Sequence, residues 1–292
     1  MKPMLFSLFY DTDLPLRIAS LLDAEHGDLT LRSFPDGESY LRLNSAVEGR
    51  RCIVIANLHQ PDSRFLPLAF VCRLLRDSGA REIVLVAPYL PYMRQDKVFN
   101  PGEAVTSAYF AGLLGPLIDR LITVDPHLHR YPSLEAVYKV PGTLLHATPV
   151  MVDWIRDNVT QPLIIGPDSE SEQWAAAVAE GVGCPVLVLE KTRLGDRDVR
   201  ISVPRADAYR DRTPVLVDDI ISTGRTLLET ARQLQIAGLK PAVCVGVHAV
   251  FASKALQELR AGPIAEVVTC DSIPHATNRI SLASLIAQAL KE

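Results

Sequence analysis

The chain has 292 residues, enough for two domains of ordinary size, each with its own core. Its 48% hydrophobic and 22% charged residues are the composition of a soluble globular protein. A net charge of −4 and a sequence pI near 6.0 argue against a nucleic-acid coat or a membrane-surface protein. The opening M-K-P-M-L-F-S-L-F-Y-D has too short an apolar stretch for a signal peptide, and no segment reaches the length of a membrane span. Five scattered cysteines (Cys52, Cys72, Cys184, Cys244 and Cys270) form no C-x-x-C and read as core thiols. A cytoplasmic, reduced protein is the expectation.

In chain order, apolar runs alternate with helix-like stretches. Residues 4–9 predict a strand and 14–22 a helix. Residues 32–43, R-S-F-P-D-G-E-S-Y-L-R-L, alternate about an Asp36–Gly37 turn signal and predict a hairpin. Strands are predicted at 51–57 and 82–88, with a helix over 66–76 between them. Further strands are predicted at 121–125, 162–168, 185–189, 213–218, 242–248 and 267–271, and a last helix at 281–290. Strands separated by helices predict an α/β chain with doubly wound parallel sheets. The series divides near 141–149, after a loop rich in Tyr, Pro and Lys. Each half holds several βαβ units, which predicts two similar domains over 1–146 and 147–292.

The clearest chemistry lies at 215–227, V-L-V-D-D-I-I-S-T-G-R-T-L. Val215, Leu216 and Val217 read as a strand buried on both faces, and Asp218 and Asp219 stand where it would end. Ser222, Thr223, Gly224, Arg225 and Thr226 make a hydroxyl-rich turn. Leu227, Leu228, Ala231, Leu234 and Ala237 follow at helical spacing. A strand, a tight turn and a helix start make an anion cradle, because the first helical N–H groups lack an intrahelical partner. The hydroxyls add bonds to phosphate oxygens, and Gly224 permits a close backbone approach. Paired aspartates beside such a cradle suit the vicinal hydroxyls of a ribose. The expected ligand is therefore a ribose carrying a phosphate; the alternative is an ordinary turn whose aspartates cap the helix.

Two earlier strand ends offer polar groups. After the strand at 83–86, the segment A-P-Y-L-P-Y-M-R-Q-D-K-V-F-N-P-G-E carries Arg94 and Lys97 for phosphates and Gln95 and Asp96 for polar bonds. Its aromatics are Tyr89, Tyr92 and Phe99; packing of the tyrosines and an Arg94–Asp96 pair are the competing reading. After the strand at 121–125, I-T-V-D-P-H-L-H-R sets Asp125, His127 and His129 close together. Two histidines without a nearby cysteine are no closed zinc site. A single imidazole with waters around a phosphate-bound Mg²⁺ fits better.

Taken together, the motifs resemble the ribose-phosphate diphosphokinase, or phosphoribosyl-diphosphate (PRPP) synthetase, family from Phe34 to Pro274 and in the family's order. F-P-D-G-E resembles its F-x-D-G-E loop, which implies ATP contacts from Phe34, Asp36 and Glu38 across a subunit boundary. Y-M-R-Q-D-K resembles its ATP segment and implies Arg94, Gln95 and Asp96. V-D-P-H implies His127 as a metal and nucleotide contact, and G-P-D implies Asp168 as a second metal position. L-E-K-T-R-L-G-D-R-D-V resembles the catalytic loop and implies Lys191 and Arg193. The 215–227 stretch implies ribose 5-phosphate binding by Asp218, Asp219, Ser222, Thr223, Gly224, Arg225 and Thr226. C-D-S-I-P resembles a T-D-[ST]-I-P segment near the C-terminus.

Two departures stand out: S-E-S-E, with Glu170 and Glu172, replaces a small Gly-rich turn, and Arg225 replaces a glycine or alanine. The trimmed length resembles the archaeal-type branch. The resemblance implies phosphoribosyltransferase-type domains and diphosphoryl transfer from ATP to ribose 5-phosphate with Mg²⁺. It also implies homo-oligomers built from dimers, commonly hexamers, with no nucleic acid or membrane partner. The rivals are a catalytically silent regulatory subunit, a phosphoribosyltransferase that uses PRPP, and the same chemistry on another sugar phosphate or nucleotide.

Overall fold

Runs such as Ile53–Val54–Ile55 and Val243–Cys244–Val245 are apolar at every position, so both strand faces need cover. A parallel sheet between helices supplies it. The computed structural model describes every residue except 129, 167–171, 194–198 and 203–205. The side chains of 172, 173, 190–193, 199–202 and 206 also lie outside the description.

The first compact unit comprises Met1–His146 together with Ser272–Pro274 and Leu282–Glu292. It begins with β1 (Met4–Leu8), α1 (Leu14–Leu22) and β2 (Glu25–His26), followed by the hairpin β3 (Leu29–Ser33) and β4 (Ser39–Leu43). Then come β5 (Arg51–Ala56), α2 (Asp62–Asp77), β6 (Glu82–Val86), α3 (Thr106–Leu114), β7 (Arg120–Val124), α4 (Leu134–Tyr138) and β8 (Gly142–Leu145). Six parallel strands stand in the order β2-β1-β5-β6-β7-β8.

The second unit comprises Ala147–Asp271 and His275–Ser281. Its elements are α5 (Thr148–Asn158), β9 (Pro162–Gly166), α6 (Glu172–Val182), β10 (Val186–Val188), and the antiparallel pair β11 (Glu190–Arg193) and β12 (Val199–Ser202). After these run β13 (Thr213–Ile221), α7 (Arg225–Ile236), β14 (Ala242–Ala249), α8 (Ala255–Ala261), β15 (Ile264–Cys270) and β16 (Asn278–Ile280). Its six parallel strands stand in the order β10-β9-β13-β14-β15-β16. The chain closes with α9 (Ala283–Lys291), which packs on α1 in the first unit. A cut at 146/147 would have put α9 in the second half.

The two sheets share one topology. In each, the second strand lies outside the first, and the chain then crosses to the other side. A two-stranded hairpin is inserted at that crossing: β3–β4 in the first unit, β11–β12 in the second. The first hairpin carries F-P-D-G-E and the second K-T-R. The strand order therefore reverses at β1/β5 and at β9/β13, the switch points where doubly wound sheets collect ligands beyond their carboxyl ends.

Several elements differ from expectation, two of them within predicted ones. The helix expected from residue 66 begins at Asp62 and takes Pro67 into its interior. The strand expected to stop at 218 runs on to Ile221, through both aspartates. Its partner explains the extension: Asp218 registers with Gly246 of β14, and Ile221 fills the space a Cβ at Gly246 would need, 2.6 Å from Ile221 Cδ1.

Candidate functional site

In the second unit, β13 pairs with β9 only as far as Leu216 and with β14 as far as Ile221, so Asp218 and Asp219 project past the end of β9. Asp219 Oδ1 accepts the Ile220 N–H at 2.8 Å, and the two acids are neighbours near the end of the strand. Burial, and after it the Asp219 charge, push the Asp218 carboxyl well above the usual carboxylate range. The folded chain thus holds a proton that the unfolded chain releases near pH 4. Asp218 contributes full stability below the ordinary carboxyl pKa, and stability falls as pH rises toward the raised value. Asp218→Asn removes that decline. The ligand-free variant should melt above wild type at pH 8, by about 2–4 °C for about 1 kcal/mol, with the difference shrinking toward pH 4. Equal melting temperatures at pH 8 would show that the pair is not strained.

Beyond β13, Ser222 is half-buried, Thr223, Arg225 and Thr226 are exposed, and Leu227 is buried beneath them. Gly224 is the N-cap of α7 with φ +67°. A Cβ there would be strained and would stand 2.9 Å from Leu259 Cδ1 of α8, so only glycine fits. The first bond of α7 runs from the Leu228 N–H to the Gly224 carbonyl at 2.9 Å. The N–H groups of residues 225–227 therefore have no partner within the helix and open from its start, in a turn that also carries Ser222, Thr223 and Thr226. Arg225 belongs to the first helical turn, not to the loop. The loop itself is held from the segment that follows β14: the Phe251 N–H donates to the Ile221 carbonyl at 2.8 Å and the Ala252 N–H to the Ser222 carbonyl at 3.1 Å. Asp168 and Glu170 lie outside the described residues, as do the side chains of Glu172, Lys191 and Arg193. The backbone places Lys191 and Arg193 on β11, opposite Ile201 and Val199 of β12.

In the first unit, the tip of the β3–β4 hairpin is exposed. Gly37, at φ +94°, donates its N–H to the Phe34 carbonyl, and Asp36 Oδ1 accepts the Glu38 N–H at 3.1 Å. Arg32 lies over Tyr40 at 4.2 Å and over Phe34 at 5.0 Å. Phe34 is 40% exposed, so its ring and the Glu38 carboxylate face outward on the turn.

The segment after β6 divides into holding and presenting residues. Tyr92 packs on Phe110 and donates its hydroxyl to Asp62, and Tyr89 meets His59 edge-on. Gln95 Oε1 accepts from Thr106 Oγ1 at 3.0 Å, and its carbonyl accepts from Ser107. The Asp96 side chain is 1% exposed and takes Arg130 Nη1 at 2.8 and 3.0 Å. Arg94, Lys97 and Phe99 remain exposed, with Phe99 between Lys97 at 5.0 Å and Arg130 at 5.7 Å. The pairing of Asp96 is thus with Arg130, not Arg94. After β7, Asp125 adopts φ +35°, and its Oδ1 meets His146 Nδ1 at 2.9 Å. His127 is half-buried two residues on, and His129 lies outside the described residues. Among the described residues no three His, Cys, Asp or Glu form a metal cluster. The buried thiols of Cys52 and Cys72 are pushed up to about 11 and about 12 by burial, as suits core positions.

Sequence reasoning missed Arg130, His146 and Leu259. Each acts through a partner distant in sequence, and a single Arg, His or Leu carries no local signal of that.

Two family models match the chain. The N-terminal domain of ribose phosphate pyrophosphokinase matches residues 3–116, and the phosphoribosyl transferase domain matches residues 133–284. A ribose-phosphate pyrophosphokinase of Methanothermobacter thermautotrophicus is 32% identical over 94% of this chain and 95% of its own. One of Halobacterium salinarum is 31% identical over 98% of this chain and 100% of its own. The phosphoribosylpyrophosphate synthetase structure from Mycobacterium smegmatis has the same fold, with a TM-score of 0.86 at 24% identity, over 100% of this chain and 98% of that one. These matches span both units, and the chain belongs to the ribose-phosphate pyrophosphokinase family.

Proposed function

We propose that the chain transfers the β,γ-diphosphoryl group of ATP to the anomeric hydroxyl of ribose 5-phosphate, giving PRPP and AMP. The observation that carries this is the cradle of residues 222–227, set beside the paired carboxyls of Asp218 and Asp219 in a chain of this family. The anomeric oxygen forms a bond to the β-phosphorus, and the bond from that phosphorus to the α,β-bridging oxygen breaks. The bridging oxygen leaves with AMP, and the hydroxyl proton passes to water. Chemistry of this kind depends on positioning and charge neutralisation more than on covalent help.

Asp218 and Asp219 would accept the ribose hydroxyls. Ser222, Thr223 and Thr226, with the backbone at Gly224 and Arg225, would hold the 5-phosphate. Arg94, Gln95, Asp96 and His127 would form the ATP site of one subunit, with Phe34, Asp36 and Glu38 supplied by a neighbour. Here Asp96 would act by fixing the segment through Arg130.

The oxygen donors fit Mg²⁺: Asp218 and Asp219 are adjacent hard-oxygen carboxyls, and the Asp219 charge that helps raise the Asp218 carboxyl is one a cation would offset. His127 and Asp168 would complete its placement. When bound, Mg²⁺ would offset the charge of the triphosphate.

Homo-oligomerisation, built from dimers and reaching a hexamer, and a cytoplasmic setting are part of the same reading. Exposed Leu66 and Phe70 on α2, with Tyr109 and Leu113 on α3, support association through the first unit. No helix among the described residues is long and apolar enough to cross a membrane.

The test is incubation of the purified chain with Mg²⁺, ATP and ribose 5-phosphate, followed by anion-exchange separation. AMP and PRPP in equal amounts are expected. ADP in place of AMP would mean ordinary monophosphoryl transfer and would overturn the reading. ATP binding without turnover would mean a regulatory subunit.

A further inference from the structure

The C-D-S-I-P segment, which the reaction above leaves without a task, leads directly into His275. The His275 imidazole is stacked on the Phe251 ring, with centroids 4.5 Å apart and planes 28° from parallel. Phe251 is the residue whose N–H holds the Ile221 carbonyl, next to the Ala252 N–H on the Ser222 carbonyl. Its backbone sits at φ +35°, a conformation a large residue keeps only when its surroundings impose it. Phe251 also packs against the core that includes Ile221, Leu227 and Leu259.

The imidazole is itself fixed. Its Nδ1 lies 2.8 Å from Thr277 Oγ1 and accepts the Thr277 N–H at 3.3 Å, and the His275 N–H donates to Asn278 Oδ1 at 2.8 Å. Asn278 Nδ2 donates in turn to Thr269 Oγ1 and to the Cys270 carbonyl, and the Thr269 and Thr277 hydroxyls meet at 2.8 Å. Such a network leaves the ring one orientation. Burial, and then the Arg260 charge, hold the imidazole below its ordinary range, so at neutral pH it stacks as an uncharged ring.

We infer that His275 is a positioning residue for the 5-phosphate loop. Stacked on Phe251, it fixes the strained 251–252 backbone whose two amides hold the carbonyls of Ile221 and Ser222, and so sets the direction of the peptides that face the phosphate. The inference rests on the reading of 222–226 as a ribose 5-phosphate site.

The experiment compares wild type, His275→Ala and His275→Phe by calorimetric titration with ribose 5-phosphate alone, and by steady-state KM for both substrates. His275→Ala should weaken ribose 5-phosphate binding about three- to tenfold, the range of a lost aromatic stack, with the KM for ATP essentially unchanged and the melting temperature lowered by no more than about 2–4 °C. His275→Phe keeps a ring in the stack and should recover binding to within about twofold of wild type. Unchanged ribose 5-phosphate binding in His275→Ala would overturn the inference alone. A parallel loss of ATP affinity and a larger fall in melting temperature would make His275 a general support of the fold and overturn it as well. A wild type that does not bind ribose 5-phosphate would overturn the site reading itself, and this inference with it.

Discussion

Replacing Lys191 by alanine should lower turnover by a factor of about 10²–10³, the size of effect seen when one preorganised donor to a developing charge is removed. Ribose 5-phosphate binding should stay within about twofold of wild type, because an interaction made only in the transition state contributes little to ground-state binding. The argument begins with charge. As the bond from the β-phosphorus to the bridging oxygen breaks, negative charge builds on that oxygen and on the equatorial oxygens of the transferred group. A cation brought to those oxygens lowers the barrier most if its carrier is preorganised. Lys191 lies on β11, whose backbone pairs with β12 from Glu190↔Ser202 to Arg193↔Val199, so it stands on a hydrogen-bonded hairpin and not a free loop. The proposed ribose 5-phosphate site belongs to other elements, the end of β13 and the start of α7, so the two readouts should separate. Arg193→Ala should change turnover in the same direction. Single-turnover kinetics of Lys191→Ala with saturating ATP measure the first quantity and calorimetry the second. Full turnover in the variant would remove Lys191 from the reaction.

The apolar strands were legible because their burial leaves no ambiguity of face. Every residue of β14 is buried, as are the last five of β5, so no polar alternation interrupts either run. The Asp36–Gly37 turn was equally readable, since φ +94° at Gly37 is what that dipeptide supplies. Legibility failed where the cause lay across space. The apolar run Val215–Val217 stops at the aspartates and so suggests a strand end there, but the length of a strand depends on its neighbour, and Gly246 makes room there for Ile221. The β11–β12 hairpin was hidden in a charged stretch with no hydrophobic period. The strand–turn–helix at 222–226 is legible from its residue types alone. What holds it in shape is not: Leu259 beneath Gly224, and the Phe251 and Ala252 amides, are 30 or more residues away from the groups they contact. Asp96 shows the same limit. Its type suggested a ligand contact, yet its carboxylate is closed off by a residue 34 positions later.

That pairing gives a sizeable stability effect at an exposed position of the first unit. Arg130→Ala should lower stability by about 2 kcal/mol, a fall in melting temperature of roughly 4–8 °C. Arg130 is 47% exposed and looks replaceable, but its partner is not: the Asp96 side chain is 1% exposed, and both its oxygens take Arg130 Nη1 at 2.8 and 3.0 Å. Removing the arginine leaves a carboxylate in a place built for an ion pair. The cost is that of the unpaired charge and not of the lost bond, reduced from about 3–5 kcal/mol because water can reach the arginine side. The double variant Asp96→Asn/Arg130→Gln removes both charges and should recover at least half of the loss. Its cycle should return a coupling of about 1–2 kcal/mol, which a generic surface pair would not. The pair also joins two strand ends. Asp96 follows β6 in the segment of Arg94 and Lys97, while Arg130 follows β7 beyond His127 and lies over Phe99. Freed from each other, the two segments should hold ATP less tightly, so the KM for ATP should rise in Arg130→Ala while ribose 5-phosphate binding is spared. A melting temperature within 1 °C of wild type would show that Asp96 finds water or another donor as readily as it finds Arg130.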